Sequence, residues 1–121
     1  MKAKNIVAYD SGDDSLTFIN KDLKGAHTIN TGLMLLTVTS DNIISAVELM
    51  GANKNFDIPE EVLENITSAK IAFDMKKDIN NLIIKIVLHY ENKEKDIIVS
   101  SNMNTSDISI KHQMFEATAS A

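Results

Sequence analysis

The sequence predicts a β-rich α+β domain: an antiparallel sheet built from hairpins, with one short helix. Three observations predict it. Apolar residues recur at period two through much of the chain, most clearly at Leu82, Ile84, Ile86, Leu88 and Tyr90. Clusters of Asp, Asn, Ser and Gly separate these runs and read as turns. One stretch alone, around Pro59, carries a helix-start signal. At 121 residues the chain is one ordinary domain, long enough to bury a core without staples.

The elements follow in order. Ile6–Tyr9 and Ser15–Ile19 are strands of a first hairpin, joined by the acidic turn Asp10-Ser11-Gly12-Asp13-Asp14. Residues 20–32 read as a polar connection. Leu33–Thr39 is apolar almost throughout, as expected of a strand covered on both faces. Ser40-Asp41-Asn42 is a turn, and Ile43–Met50 is the next strand, with Glu48 and its even-numbered neighbours on one face. Pro59 suits a first helical turn, and Glu60 and Glu61 suit the positive end of a helix dipole, with Val62, Leu63 and Ile66 as the apolar stripe. Ile71, Phe73 and Met75 return to period two. The Leu82–Tyr90 strand, a charged turn at 91–95 and Ile97–Ser100 form a meander. Ser106–Ile110 is expected as an edge strand, and His112–Ala121 as a frayed end, the alternative being that Met114 and Phe115 dock on the body or on a second subunit. The total is six to eight strands. A faint echo relates Ala8-Tyr9-Asp10 to Ala72-Phe73-Asp74, each followed by an acidic turn and a strand.

Composition narrows the function. The formal net charge is −5, and all twelve basic residues are Lys. That balance disfavours nucleic acid and anionic membranes, and the lack of Arg removes the bidentate fork that reads phosphate or guanine. No Cys is present, which excludes disulfides, thiolate catalysis and iron–sulfur ligation. No signal peptide or membrane span is read, so a cytoplasmic location is expected. No phosphate-cradling Gly-rich loop and no nucleophile elbow are found, and His27, His89 and His112 share no ligand spacing. His89 falls on the mixed face of a strand, where a half-exposed structural role is expected. No cofactor and no catalytic residue are assigned.

The acidic turn is the strongest candidate for a site. Asp10, Asp13 and Asp14 present oxygen ligands suited to a hard cation such as calcium, although not at EF-hand spacing. The alternative is a solvated turn in which Asp10 and Asp13 bond local N–H groups and Gly12 supplies a positive φ. Asp10-Ser11-Gly12 also resembles the catalytic turn of dimeric retroviral-type aspartic proteases, with Leu49-Met50-Gly51 as a partial match to a later element. There is no Gly-rich flap, and the spacing is short.

Two further segments carry a resemblance. Tyr9-Asp10, Asp14-Ser15-Leu16 and Phe18-Ile19 form one half; Asp41–Met50 with Ala52 forms the other. Together they resemble the YuzE-like domains of unknown function, over about residues 7–53. Ser11, the Thr17-Phe18 order, Asn42 and Ala46 depart from the family pattern. The resemblance implies an antiparallel sheet with a helix, no catalytic residue, and an antitoxin-like binding role beside a small basic protein. Tyr9, Asp14, Leu16 and Glu48 fall on pattern positions, with Asp14 fixing the turn and Glu48 pairing with a neighbouring backbone or a Lys. The expected function is a non-enzymatic interaction domain with a protein partner or a second copy of itself. Cation binding and proteolysis are the alternatives.

Overall fold

The computed structural model describes residues 5–103, 110 and 112–119. It holds nine strands: β1 (Ile6–Asp10), β2 (Ser15–Ile19), β3 (His27–Asn30), β4 (Met34–Val38), β5 (Ile44–Met50), β6 (Ile66–Lys76), β7 (Asn81–Tyr90), β8 (Lys93–Asn102) and β9 (Gln113–Ala119). One helix, α1 (Glu60–Leu63), and a 3-10 turn (Lys77–Ile79) complete it. All strands join one sheet in the order β3-β4-β5-β2-β1-β9-β6-β7-β8.

The fold class therefore needs correction. The protein is almost all β, and its sheet is mixed: β1 and β9 run parallel, while the other pairs are antiparallel. The helix is a single turn. Val62 and Leu63 are buried as expected, but Ile66 already begins β6. β4 also differs from expectation. Its burial alternates, with Met34, Leu36 and Val38 inside, so only one face is covered. The predicted strand at Ser106–Ile110 lies largely outside the described residues.

The largest correction concerns the C-terminal segment. Gln113–Ala119 is not frayed but central, paired with β1 on one side and β6 on the other. Its Ala-rich sequence has little strand preference of its own. Two neighbours supply what local preference lacks. Phe115 and Ala117 face the core, and the Phe115 ring lies 6.1 Å from that of Phe73. Gln113 adds a tie across the interior. Its amide accepts from Ile44 N–H at 2.9 Å and donates to Ile44 C=O at 2.7 Å.

The echo seen in the sequence is real in three dimensions but slipped by two residues. The β1–β2 hairpin closes at Asp10↔Ser15, and the β6–β7 hairpin closes at Lys76↔Asn81. Each encloses four residues, and each ends on a left-handed residue, Asp14 (φ 51) and Asn80 (φ 49). Tyr9 thus corresponds to Met75 and not to Phe73, both sitting opposite a fully buried leucine, Leu16 or Leu82. A slip of two keeps the same face, which is why the echo was visible at the wrong register. The third strands match as well. Gly51, just after β5, donates to Asp14 C=O at 2.9 Å, and Met103, just after β8, donates to Asn80 C=O at 2.6 Å. The sheet is two three-stranded units, β1-β2-β5 and β6-β7-β8, with β3-β4 inserted in the first and β9 sewn between them.

The inner faces of both units form one core that includes Phe18, Leu36, Leu49, Ile71, Phe73 and Ile84. If β9 is a core strand, Phe115→Ala should destabilise by about 3 kcal/mol, as for large-to-small core changes. Urea unfolding would measure this. A frayed tail would lose less than about 0.5 kcal/mol, as an exposed substitution does.

Candidate functional site

The candidate regions are the acidic turn and the outer face of the second unit.

In the acidic turn the left-handed residue is Asp14, so Gly12 is not the source of the positive φ. The Asp10 carboxylate accepts from Gly12 N–H at 2.9 Å and, at 3.4 Å, makes a weak approach to Asp13 N–H. Asp10 and Asp13 are exposed. Asp14 turns inward. Its carbonyl accepts from Gly51 and Ala52 N–H, both at 2.9 Å. Its carboxylate accepts from Asn53 N–H at 2.9 Å, from Lys54 N–H at 3.1 Å and from the Tyr9 hydroxyl at 2.7 Å. Four successive backbone N–H groups, 51 to 54, therefore converge on one residue. Successive N–H groups of this kind form an anion-binding nest, and here Asp14 fills it.

The loop carrying the nest is locally determined. Gly51 has φ 76, and a Cβ there would overlap the Asn55 amide. Asn55 donates from that amide to Met50 C=O at 2.9 Å, and Asn53 donates to Ile58 C=O at 2.8 Å. Ile58, fully buried, then leads into Pro59 and α1.

The electrostatics follow from the bonds. The Asn53 N–H is the main cause holding the Asp14 carboxyl below its ordinary range, followed by the Tyr9 hydroxyl and, after an opposing desolvation effect, the Lys54 N–H and ammonium. The reciprocal effect falls on Tyr9, whose hydroxyl is pushed up to about 12, chiefly because it donates to Asp14.

The expected cation site gains no support. Asp14 has both carboxylate oxygens taken by protein donors. No group of three or more His, Asp or Glu among the described residues is placed to hold a metal. Asp10, the residue required by the protease reading, is an exposed turn cap. Among the pattern residues, Tyr9 and Asp14 are bonded to each other, and Leu16 is fully buried opposite Leu49. Glu48 lies mid-strand between Thr17 and Leu35, and no ion pair among the described residues includes it.

The second region was not found by sequence. Strand pairing aligns Thr118 of β9, Ser68 of β6, His89 of β7 and Glu94 of β8 in one row across the sheet. Directly opposed residues share a face, so hydroxyl, imidazole and carboxylate lie side by side. His89 Nδ1 is 3.6 Å from a Glu94 carboxylate oxygen, beyond a hydrogen bond. A register shift between Ile66 and Ser68 bulges β6 at this point, and the Thr67 hydroxyl donates to His89 C=O at 3.1 Å. Bulges re-aim side chains in this way beside functional sites. Two adjoining hollows share Ser68 and His89. One, of about 310 Å³, is also lined by Asn5, Lys70, Glu116 and Thr118. The other, of about 340 Å³, reaches Thr67, Tyr90 and Glu94. Lys70 and Glu116 pair at 3.7 Å, but both are well exposed, so the pair adds little stability and leaves Lys70 available. His89 is half-exposed, as expected, and lines both hollows of this polar trough. Only knowledge of the register could have revealed it, because Thr118, Ser68 and Glu94 come from three separate strands.

Comparison with known proteins is sparse. No family model matches the chain, and no solved structure matches it. The chain is 26% identical over 88 residues to a protein of Methanosarcina mazei described as "Putative hypoxanthine phosphoribosyltransferase". The match covers 73% of this chain and 72% of that protein. This relative, named for an enzyme activity, overturns the expectation of a non-enzymatic interaction domain. No helix among the described residues is long and apolar enough to cross a membrane.

Asp14 makes the acid response predictable. Its folded value lies below its unfolded value, so its contribution is present above the ordinary carboxylate value of about 3.9 and is lost as pH falls through the folded value. Asp14→Asn should lower the melting temperature at neutral pH, and the gap to wild type should close on acidification below about pH 4. Thermal melts across pH would show this. A gap that persists unchanged in acid would assign the loss to shape and not to charge.

Proposed function

We propose that the chain is an enzyme that handles a purine base or a phosphorylated ribose, with the Ser68–His89 trough as its site. The observation that carries this reading is the match to the Methanosarcina mazei protein, whose name specifies hypoxanthine and phosphoribosyl transfer. The trough supplies suitable chemistry. The hydroxyls of Ser68 and Thr118 and the ammonium of Lys70 are donors for phosphate or ribose oxygens. His89 beside Glu94 offers an imidazole for proton transfer. Phosphate recognition would fall to these side chains, because the backbone nest at residues 51–54 is filled by Asp14.

The test is an amide NMR titration with hypoxanthine, inosine monophosphate and phosphoribosyl pyrophosphate. At least one ligand should shift the resonances of Ser68, Lys70, His89 and Thr118. Lys70→Ala should weaken that ligand by about tenfold, equivalent to about 1.4 kcal/mol. Silence at millimolar ligand, or shifts elsewhere only, would dismiss the reading.

We also infer that residues 7–53 form a YuzE-like unit. What supports this is the meeting of its pattern residues: Tyr9 bonds Asp14, and Asp14 bonds the loop that follows β5.

A further inference from the structure

The two edges of the sheet differ sharply. β3 is four residues long, and three of these, His27, Thr28 and Asn30, are exposed polar side chains. A short polar edge is a blunted edge. β8 at the other end runs ten residues in unbroken register with β7. It carries no Pro and no bulge; the devices against edge pairing that it does carry, the charges of Lys93, Glu94, Lys95 and Asp96, are confined to its first half, and Ile97–Asn102 has none. Its centre presents Ile98, 70% exposed.

The free hydrogen-bonding groups of this edge can be assigned. Tyr90 and Lys93 flank a two-residue turn, Glu91 (φ 47) and Asn92 (φ 63), whose left-handed pair is that of a tight hairpin. Tyr90↔Lys93 is then a hydrogen-bonded pair, and the pattern alternates from there. Lys93, Lys95, Ile97, Val99 and Ser101 turn their backbone groups to β7. Glu94, Asp96, Ile98, Ser100 and Asn102 turn theirs outward. Among the described residues no backbone or side-chain hydrogen bond reaches those outward groups. A hollow lined by Leu33 and Phe56 on one side and Val99–Ser101 on the other borders the far end of the edge.

We propose that β8 pairs antiparallel with β8 of a second copy of this chain, centred on Ile98. A two-fold axis at Ile98 sets this exposed side chain against its own copy. It also sets Asp96 opposite Ser100 and Glu94 opposite Asn102, all through residues whose backbone groups point outward. No like charges face each other. Registers centred on Glu94 or on Asp96 set that carboxylate against itself, which is destabilising. Centring on Ser100 places Ile98 opposite Asn102 and carries both acids beyond the strand. Axes on Ile97 or Val99 also join outward-pointing residues without opposing like charges, but they set Ile98 against Asp96 or Ser100. Apolar matching therefore selects the register centred on Ile98, and the result is an eighteen-stranded continuous sheet, nine from each copy. This inference is independent of the ligand proposed for the trough.

The chain has no Cys, so single-cysteine variants test the register directly. In the proposed dimer the two copies of position 98 lie about 5.5 Å apart between Cα atoms, within disulfide reach. The two copies of position 96, and those of position 100, lie roughly 14 Å apart, out of reach. On mild oxidation Ile98→Cys should form a covalent dimer, while Asp96→Cys and Ser100→Cys should not. Ser100→Asp, which opposes the copy's Asp96, should weaken association of the otherwise native chain at least tenfold in sedimentation equilibrium. Equal cross-linking at all three positions, or an absence of cross-linking at 98, would overturn the register. A wild type that sediments at 13.4 kDa at every concentration tested would overturn the dimer.

Discussion

The turn at Asp14 is the constraint on which the first half of the molecule depends. One residue adopts a left-handed backbone, ends the β1–β2 hairpin, and collects the N–H groups of residues 51 to 54 with its carbonyl and carboxylate. Without an acceptor those four donors would form an open anion nest. With Asp14 in place, the loop after β5 is fixed to the start of β2. Gly51, Asn53 and Asn55 then direct the chain to buried Ile58 and to the single turn of α1. The position at which β6 begins follows from that path. The acidic turn is a structural joint, and its crowding is relieved by backbone donors and a tyrosine hydroxyl.

The second unit keeps half of this joint. Asn80 has the same left-handed backbone as Asp14 and gives its carbonyl to Met103. It has no carboxylate to gather a nest. The two units share a hairpin register and a third-strand closure, and they differ in what surrounds them. The first is extended by β3 and β4. The second, among the described residues, leaves its outer face open, with the Ser68–His89 trough at one end and the unpaired β8 edge at its margin. β9 joins the units, which explains why a segment of weak intrinsic strand preference occupies the middle of the sheet.

Much of the fold was legible where alternation was strong. The β1, β2, β5, β7 and β8 runs were read from their apolar period, and Pro59-Glu60-Glu61 marked the helix. β3 was missed because His-Thr-Ile-Asn is polar and pairs on one side only. β9 was missed because its strand state is imposed by β1 and β6 and Gln113 reaches Ile44 across the core, which local sequence does not encode. The role of Asp14 as turn-fixing residue was implied by the YuzE-like resemblance. Its bonds to Asn53 and Lys54 were not, since they span about forty positions. The trough was invisible for a related reason: a cross-strand row exists only once the register of four strands is known.

Native-state hydrogen exchange at residues 51 to 54 reports whether Asp14 holds this loop as one unit. Four amides bonded to one residue should open together, so they should share one protection factor well above that of an exposed loop. Exchange of these amides at unprotected loop rates, or at four unrelated rates, would contradict the account of Asp14 as the joint of the fold.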